Sequence, residues 1–275
     1  MMKDVLIGGP APLRGQWHIA HTPRAVAVLN GATGVPHGYY HHFARWLAED
    51  QNVSCLTYDY RDFGASARGP IREVKATMAD WGIADQQAAR DWVSARANGV
   101  PIWVIGHSLG GLMISHQDRT GEISRIIAIC SGPVHTCDHP WPYQALVRSL
   151  WFGVGPASMA VFGYVPGKLS GLGSDIPGPV FRQWKRWCTT PGFDASDNSL
   201  PPLSPSPPQC ALRTVGVSDD VSVPPDVAAR LAKRYPHCPH EHVLLTPAQY
   251  GLDKVGHISA FSRRNAAMWP DLIGA

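Results

Sequence analysis

A short glycine-rich segment in the middle of the chain constrains the fold most. Residues 106–111 read Gly-His-Ser-Leu-Gly-Gly, directly after an apolar run at 102–106 and directly before a helix-like run. A chain that turns from strand to helix at one residue strains that residue, and the strain is tolerated only where nearby residues lack side chains. Gly106 and Gly110 flank Ser108 at the two required positions. The pattern predicts a sharp strand–turn–helix junction that exposes the Ser108 hydroxyl above a sheet.

Strand-like and helix-like runs alternate along most of the chain. Short apolar, β-branched runs predict strands at 25–30, 53–60, 102–106, 126–131, 211–217 and 242–247. Helical spacing of apolar residues predicts crossover helices at 40–50, 77–98 and 109–117. This alternation is typical of βαβ units, and 275 residues are enough for one large domain. We expect an α/β fold with a mostly parallel sheet and helices on both faces.

The texture of the sequence changes between residues 134 and 208. This stretch is rich in Trp, Phe, Gly and Pro, shows little periodicity, and ends in a proline-rich connector before strand-like runs resume. We therefore predict an α/β core formed by residues 1–133 and 209–275. Residues 134–208 are predicted to form an inserted, mainly helical cap.

Composition and charge exclude several classes of function. The formal net charge of +3 is small and the basic residues are scattered, so we expect no nucleic-acid partner. We find no secretory signal pattern and no apolar stretch of the length that a membrane helix needs, so we expect no membrane partner and a cytoplasmic location. The six cysteines are widely separated and contain no C-x-x-C pair, which indicates reduced thiols.

The serine at the junction requires a base and an oxyanion site to act as a nucleophile. His257 follows the last predicted strand and a glycine, at the place in chain order where such a base is expected. The backbone N–H of Leu109 lies at a predicted helix N-terminus, where it can stabilise a developing negative charge. A second donor is expected from the loop after strand 25–30, with the Ala32 N–H as first candidate and Thr33 as the next.

Two adjacent aspartates compete for the role of the acid that orients the histidine. Both lie in the loop after strand 211–217. Counting three residues on from Gly216 selects Asp219, whereas counting four back from Pro224, a helix-starting proline, selects Asp220. The sequence slightly favours Asp220 and leaves Asp219 as the alternative. Histidine-rich segments at 135–139 and 237–242 lack zinc-site spacing, so we expect no metal and no cofactor.

These segments together resemble the α/β-hydrolase superfamily over nearly the whole chain. The resemblance lies in Gly106–Gly110, in Asp59-x-Arg61-x-x-Gly64-x-Ser66, in the aspartate loop, and in Gly256-His257. More narrowly, the chain is similar to bacterial α/β-hydrolases grouped near serine aminopeptidases and monoglyceride lipases. That similarity rests on Ala32-Thr33-Gly34-Val35, Tyr39-Tyr40, Asp59-Tyr60-Arg61, Asp80-Trp81-Gly82, and Gly178-Pro179-Val180 running to Trp184-x-x-Trp187-Cys188.

The resemblance implies an eight-stranded core, a triad of Ser108, His257 and Asp219 or Asp220, and a cap over the site. One departure concerns the oxyanion loop, because many members have His-Gly where this chain has Asn30-Gly31.

The function expected from these residues is hydrolysis of a carboxylic ester or another acyl bond of a small molecule. Trp151, Trp184 and Trp187 of the cap would favour an apolar acyl or alcohol group. Two alternatives stay open: an acyltransferase that uses the same triad, and a non-catalytic ligand-binding protein on the same fold. The apolar cap also offers a surface for a homodimer contact.

Overall fold

An eight-stranded sheet forms the centre of the computed structural model, which describes all 275 residues. Its strand order is β1-β2-β4-β3-β5-β6-β9-β10, and only the pairs β1–β2 and β2–β4 are antiparallel. The strands are β1 Met2–Ile7, β2 Leu13–His18, β3 Ala25–Asn30, β4 Val53–Tyr58, β5 Ile102–His107, β6 Ile123–Ile129, β9 Ala211–Val217 and β10 His240–Leu245, with a separate antiparallel pair of β7 Tyr164–Val165 and β8 Ile176–Pro177.

Helices connect the strands and cover both faces of the sheet. The α-helices are α1 His41–Asp50, α2 Gln86–Ser94, α3 Tyr143–Ser149, α4 Gly155–Phe162, α5 Gly167–Ser170, α6 Gly178–Thr189, α7 Pro225–Arg230 and α8 Trp269–Ile273. Two π-helical turns, Asp80–Asp85 and Leu150–Val154, lead into α2 and α4. One buried apolar cluster contains Trp81 of the turn before α2 and Val93 of α2, and the other contains Phe43 of α1 and Leu272 of α8. The sheet therefore separates two hydrophobic cores, as expected for a parallel sheet covered on both sides.

The six predicted strands are confirmed, each to within three residues at either end. The hairpin of β1 and β2 was not predicted, because β1 is a largely exposed edge strand without a continuous apolar run. The helix predicted at 109–117 is wrong. The structure has two short 3₁₀ turns there, Ser108–Gly111 and Ile114–His116, since two successive glycines make this segment a poor α-helix.

The segment between β6 and β9 contributes no strand to the eight-stranded sheet. It holds α3, α4, α5 and α6, and its boundaries at 134 and 208 remain a prediction. Asp197 anchors its C-terminal part, because its carboxylate accepts hydrogen bonds from the side chains of Gln183, Trp187 and Ser199 at 2.9, 2.8 and 2.6 Å.

One feature of this segment corrects an expectation from the sequence. Tyr143–Phe162 forms one helix of 20 residues that is long and apolar enough to span a membrane by length and composition alone, and 22% of its most apolar window is buried. The sequence does not show this helix as one apolar run, because polar residues such as Gln144 and Arg148 interrupt it.

Candidate active site

The sharp turn at Ser108 is built as the glycine pattern predicted, although a 3₁₀ turn and not an α-helix follows it. Ser108 directly follows β5 and has a φ of +54°, a left-handed conformation that is strained for a serine. A Cβ on Gly106 would lie 2.4 Å from backbone atoms of Gly110 and Gly111, and a Cβ on Gly110 would lie 2.1 Å from the Asn30 carbonyl oxygen. Only glycine fits at these positions, because the fixed backbone on the other side cannot move aside.

Asp220 holds the imidazole of His257. The Nδ1 of His257 lies 2.8 Å from Oδ2 of Asp220, while the other oxygen, Oδ1, accepts the backbone N–H groups of Ser222 and Val223 at 2.8 and 3.0 Å. Burial alone would raise the pKa of Asp220, but His257 and these two N–H groups outweigh burial and lower that pKa below its ordinary value. The carboxylate is therefore ionised and accepts the Nδ1–H of His257, which leaves Nε2 as the ring nitrogen for proton transfer.

Asp219 acts on the backbone of the histidine loop instead. Its two carboxylate oxygens accept the N–H groups of Val255 and Gly256, each at 2.9 Å. Gly256 has a φ of +63°, which turns the chain directly before His257. The two adjacent aspartates thus have different partners, one the imidazole and the other the loop that carries it.

A buried chain of hydrogen bonds joins the serine junction to the histidine loop and the oxyanion loop. His107 Nε2 lies 2.9 Å from the carbonyl oxygen of His257, and its Nδ1 lies 2.8 Å from the Tyr40 hydroxyl. Burial, aided by the neighbouring His257, lowers the pKa of His107 to about 3, so this ring is neutral. Its Nε2–H therefore donates to His257, and its Nδ1 accepts from Tyr40, which fixes both loops relative to Ser108.

The Tyr40 hydroxyl accepts a hydrogen bond from one of the two oxyanion donors predicted on the loop after β3. The Ala32 N–H donates to the Tyr40 oxygen at 2.9 Å, whereas the Thr33 N–H donates to no protein atom. The Leu109 N–H lies in the first turn after β5, where amides lack partners within the helix. Asn30 donates its Nδ2 to the Gly110 carbonyl at 3.2 Å and so ties the oxyanion loop to the junction.

Cys130 lies behind the pair of Asp220 and His257. It follows β6 with a φ of +47°, and its Sγ lies within 4.8 Å of a carboxylate oxygen of Asp220 and a ring nitrogen of His257. Burial and the nearby Asp220 carboxylate raise the pKa of this cysteine well above its ordinary value. Cys130 is therefore a neutral thiol that packs against the hydrogen-bonded pair of Asp220 and His257.

An apolar cavity of about 470 Å³ opens above Ser108 and His257. Both residues line it, and so do Leu109, Ala32 and Thr33. No Asp, Glu, Lys or Arg side chain lines it, and 18 of its 29 lining residues are hydrophobic. No hydrogen bond joins the Ser108 hydroxyl to His257 in this structure, a separation that is common in sites without substrate. The cavity can hold a neutral, largely apolar molecule next to the serine and the histidine.

The segment 134–208 supplies one wall of this cavity. Trp151, Trp184 and Trp187, the tryptophans predicted from the sequence to contact substrate, all line it. Tyr143 and Val147 of α3 also line it. The structure thus brings every predicted site residue to one cavity or, for Asp219 and Asp220, directly behind it.

Sequence reasoning missed the supporting roles of Tyr40, His107 and Cys130. His107 lies inside the glycine pattern, but the pattern does not specify that residue. Tyr40 lies 68 residues before Ser108 in the sequence and Cys130 lies 22 residues after it, and no local sequence pattern links either residue to Ser108.

The fold and the junction define the class of α/β hydrolases. The sequence profile of the alpha/beta hydrolase family matches residues 26–268, so the chain belongs to this family. No curated protein matches the chain by sequence.

Solved structures from several organisms share the fold. An esterase from Pyrococcus furiosus has a TM-score of 0.61 at 17% identity, with 100% of this chain and 89% of that chain covered. A thermophilic esterase from Thermogutta terrifontis has a TM-score of 0.56 at 14% identity, covering 99% and 98%. A serine hydrolase without lid from Xanthomonas campestris has a TM-score of 0.57 at 13% identity, covering 99% and 92%. At these identities the likeness concerns the fold.

Proposed function

We propose that this protein is a serine hydrolase that cleaves neutral carboxylic esters through an acyl-enzyme on Ser108. The observation that carries the proposal is the shared cavity, which brings a strained serine and an Asp220-oriented imidazole to one uncharged, apolar space. An apolar cavity with a few convergent polar groups is the usual form of a small-molecule site.

The proposed mechanism has two steps. His257 takes the proton of Ser108 as the serine oxygen attacks the ester carbonyl, and the resulting imidazolium donates that proton to the leaving alcohol. Water, activated by His257 in the same way, then releases the acid and restores the serine. Asp220 stabilises the imidazolium in both steps, since its carboxylate is already ionised and hydrogen-bonded.

Two backbone N–H groups are proposed to stabilise the tetrahedral intermediate. Leu109 supplies the first, at the start of the turn after β5. On the second loop the Thr33 N–H is free, whereas the Ala32 N–H already donates to Tyr40. We therefore assign the second donor to Thr33, with Ala32 as its support.

The segment 134–208 is proposed to act as a cap that selects the substrate. Trp151, Trp184 and Trp187 favour an apolar acyl or alcohol group by removing its surface from water. A charged group is disfavoured, because an ion buried without a partner costs several kcal/mol.

The test is a series of p-nitrophenyl esters assayed with the whole protein. We expect kcat/KM to rise from acetate to longer acyl chains until the cavity is filled. Between two p-nitrophenyl esters whose acyl chains end in a methyl ester and in a free carboxylate, kcat/KM should be at least about 10²-fold lower for the carboxylate. Equal turnover of the charged and neutral esters would contradict the assigned specificity. Product analysis with an added alcohol separates hydrolysis from acyl transfer, since a transferase would form the new ester in preference to the acid.

A further inference from the structure

One face of the helix Tyr143–Phe162 exposes large apolar side chains to solvent. Leu146 is 67% exposed, Phe152 63% and Val161 73%. Leu146 and Val161 are about four helical turns apart on one side, with Gly153 and Ala157 between them, and Phe152 lies beside this stripe. Trp141, just before the helix, is 78% exposed and Leu169, just after it, 68%. We call the exposed apolar side chains Leu146, Phe152 and Val161 of this helix the helix face, since large apolar side chains grouped in this way mark an interaction site.

The opposite side of the same helix lines the catalytic cavity. Val147 and Trp151 are 7% and 3% exposed, and both contribute to the cavity wall. The helix thus lies between the cavity and the solvent, and it cannot cross a bilayer while its inner side stays packed on the protein. Whatever covers the helix face is separated from the cavity by this one helix.

The charges around the helix face favour one kind of partner. Residues 134–208 contain five basic residues and four aspartates, but Asp194 and Asp197 are buried and Asp138 is paired with Arg230 at 2.7 Å, so the exposed charges of the segment are mostly basic. Arg148 is exposed within the helix, Lys168 is exposed beside Leu169, and Lys185 Nζ lies 5.1 Å from the centre of the Phe152 ring. A second copy of the chain would bring two positive faces together. An anionic lipid surface would accept the apolar side chains and neutralise the basic ones.

We propose that the helix face docks on an anionic lipid surface, with the helix lying in the plane of the interface. This replaces the expectation from the sequence that the protein has no membrane partner. Docking places this helix, whose inner side forms part of the cavity wall, against the lipid. The binding itself needs no hydrolysis, and the inactive Ser108→Ala variant should bind vesicles as well as the wild type does.

The experiment is co-sedimentation of the whole protein with vesicles of phosphatidylglycerol and phosphatidylcholine, compared with phosphatidylcholine alone. We expect pelleting with the anionic vesicles, weakened by high salt, and at least tenfold weaker binding for the double variant Leu146→Glu/Val161→Glu. Leu6→Glu is the matched control, because Leu6 is 57% exposed on edge strand β1, and this variant should bind like the wild type. Arg148→Glu is a second variant that leaves the apolar surface intact and should weaken binding to anionic vesicles.

Several results would overturn the proposal. One is no pelleting of folded wild-type protein with either vesicle, and another is equal pelleting of the wild type and the double variant. A third is a dimer of the wild type in solution that the double variant converts to a monomer without any vesicle binding, which would assign the helix face to a second copy. Circular dichroism of each variant checks that the fold is retained.

Discussion

The two adjacent aspartates allow one substitution to be compared with its neighbour as a matched control. In Asp220→Asn, the amide oxygen can still accept the N–H groups of Ser222 and Val223, but an NH₂ group then faces Nδ1 of His257. The ring is expected to adopt the opposite tautomer, with its proton on Nε2, where it can no longer accept a proton from Ser108. The expected loss of kcat is on the order of 10⁴-fold, or about 5.4 kcal/mol of activation free energy.

Asp219→Asn should behave differently. One of the two backbone N–H groups, from Val255 or Gly256, would face an amide NH₂ and lose its acceptor, which costs about 1–3 kcal/mol of stability. The Asp220–His257 contact stays intact, so kcat should fall about tenfold or less. The assay is steady-state hydrolysis of a p-nitrophenyl ester by both variants, with urea unfolding of each. A loss of kcat in Asp219→Asn as large as in Asp220→Asn, at the same folded fraction, would refute the assignment.

Three further predictions concern stability and are measured by urea unfolding. Gly106→Ala should destabilise the fold by about 3 kcal/mol or more, or prevent folding, because the new Cβ would lie 2.4 Å from fixed backbone atoms. Gly38→Ala is the control and should not destabilise the fold, because no atom lies within 4 Å of its Cβ; equal stability of the two variants would contradict the prediction. Tyr40→Phe should cost about 1–3 kcal/mol by leaving His107 Nδ1 without its donor, and an unchanged midpoint would argue against that hydrogen bond. Hydrogen-bond donors outweigh burial and lower the pKa of Asp197 to about 2, so its ionised form stabilises the fold above about pH 4. The stability advantage of wild type over Asp197→Asn should therefore shrink by about 2 kcal/mol as the pH falls from about 4 to 2, and a constant difference would contradict this sign.

The sequence predicted the parallel part of the sheet because buried parallel strands are continuous apolar runs with few alternative structures. Strand β1 failed this criterion, since it is largely exposed and only Ile7 is buried, although Gly8, Gly9 and Pro10 after it are a turn signal. The turns after Ser108 were predicted as an α-helix because hydrophobic spacing alone ignores the cost of two glycines.

The residues of the candidate site also differ in how far the sequence predicts them. Ser108 and His257 could be located from chain order, because the fold brings the ends of parallel strands to one edge of the sheet. The choice between Asp219 and Asp220 depends on which way each side chain points, and loop geometry decides that. No local sequence pattern predicts the role of the Tyr40 hydroxyl, because its partners Ala32 and His107 come together only in the folded protein.

The helix Tyr143–Phe162 is a case in which the sequence pattern hides an apolar element that the structure reveals. Residues 143–162 contain enough polar positions to interrupt every apolar run, yet the folded helix places apolar side chains on both its inner and outer faces. A helix that is apolar on both faces needs two partners. The cavity supplies one, and the lipid surface is the proposed second.

The central claim is that Ser108 is a nucleophile activated by His257, and labelling with a fluorophosphonate tests it most directly. Intact-mass and peptide mass spectrometry should show one adduct per chain, located on Ser108, and none in the folded Ser108→Ala variant. Labelling of a different residue, or no adduct on folded wild-type protein that also turns over no ester, would contradict the claim and would leave the cavity as a site for binding alone.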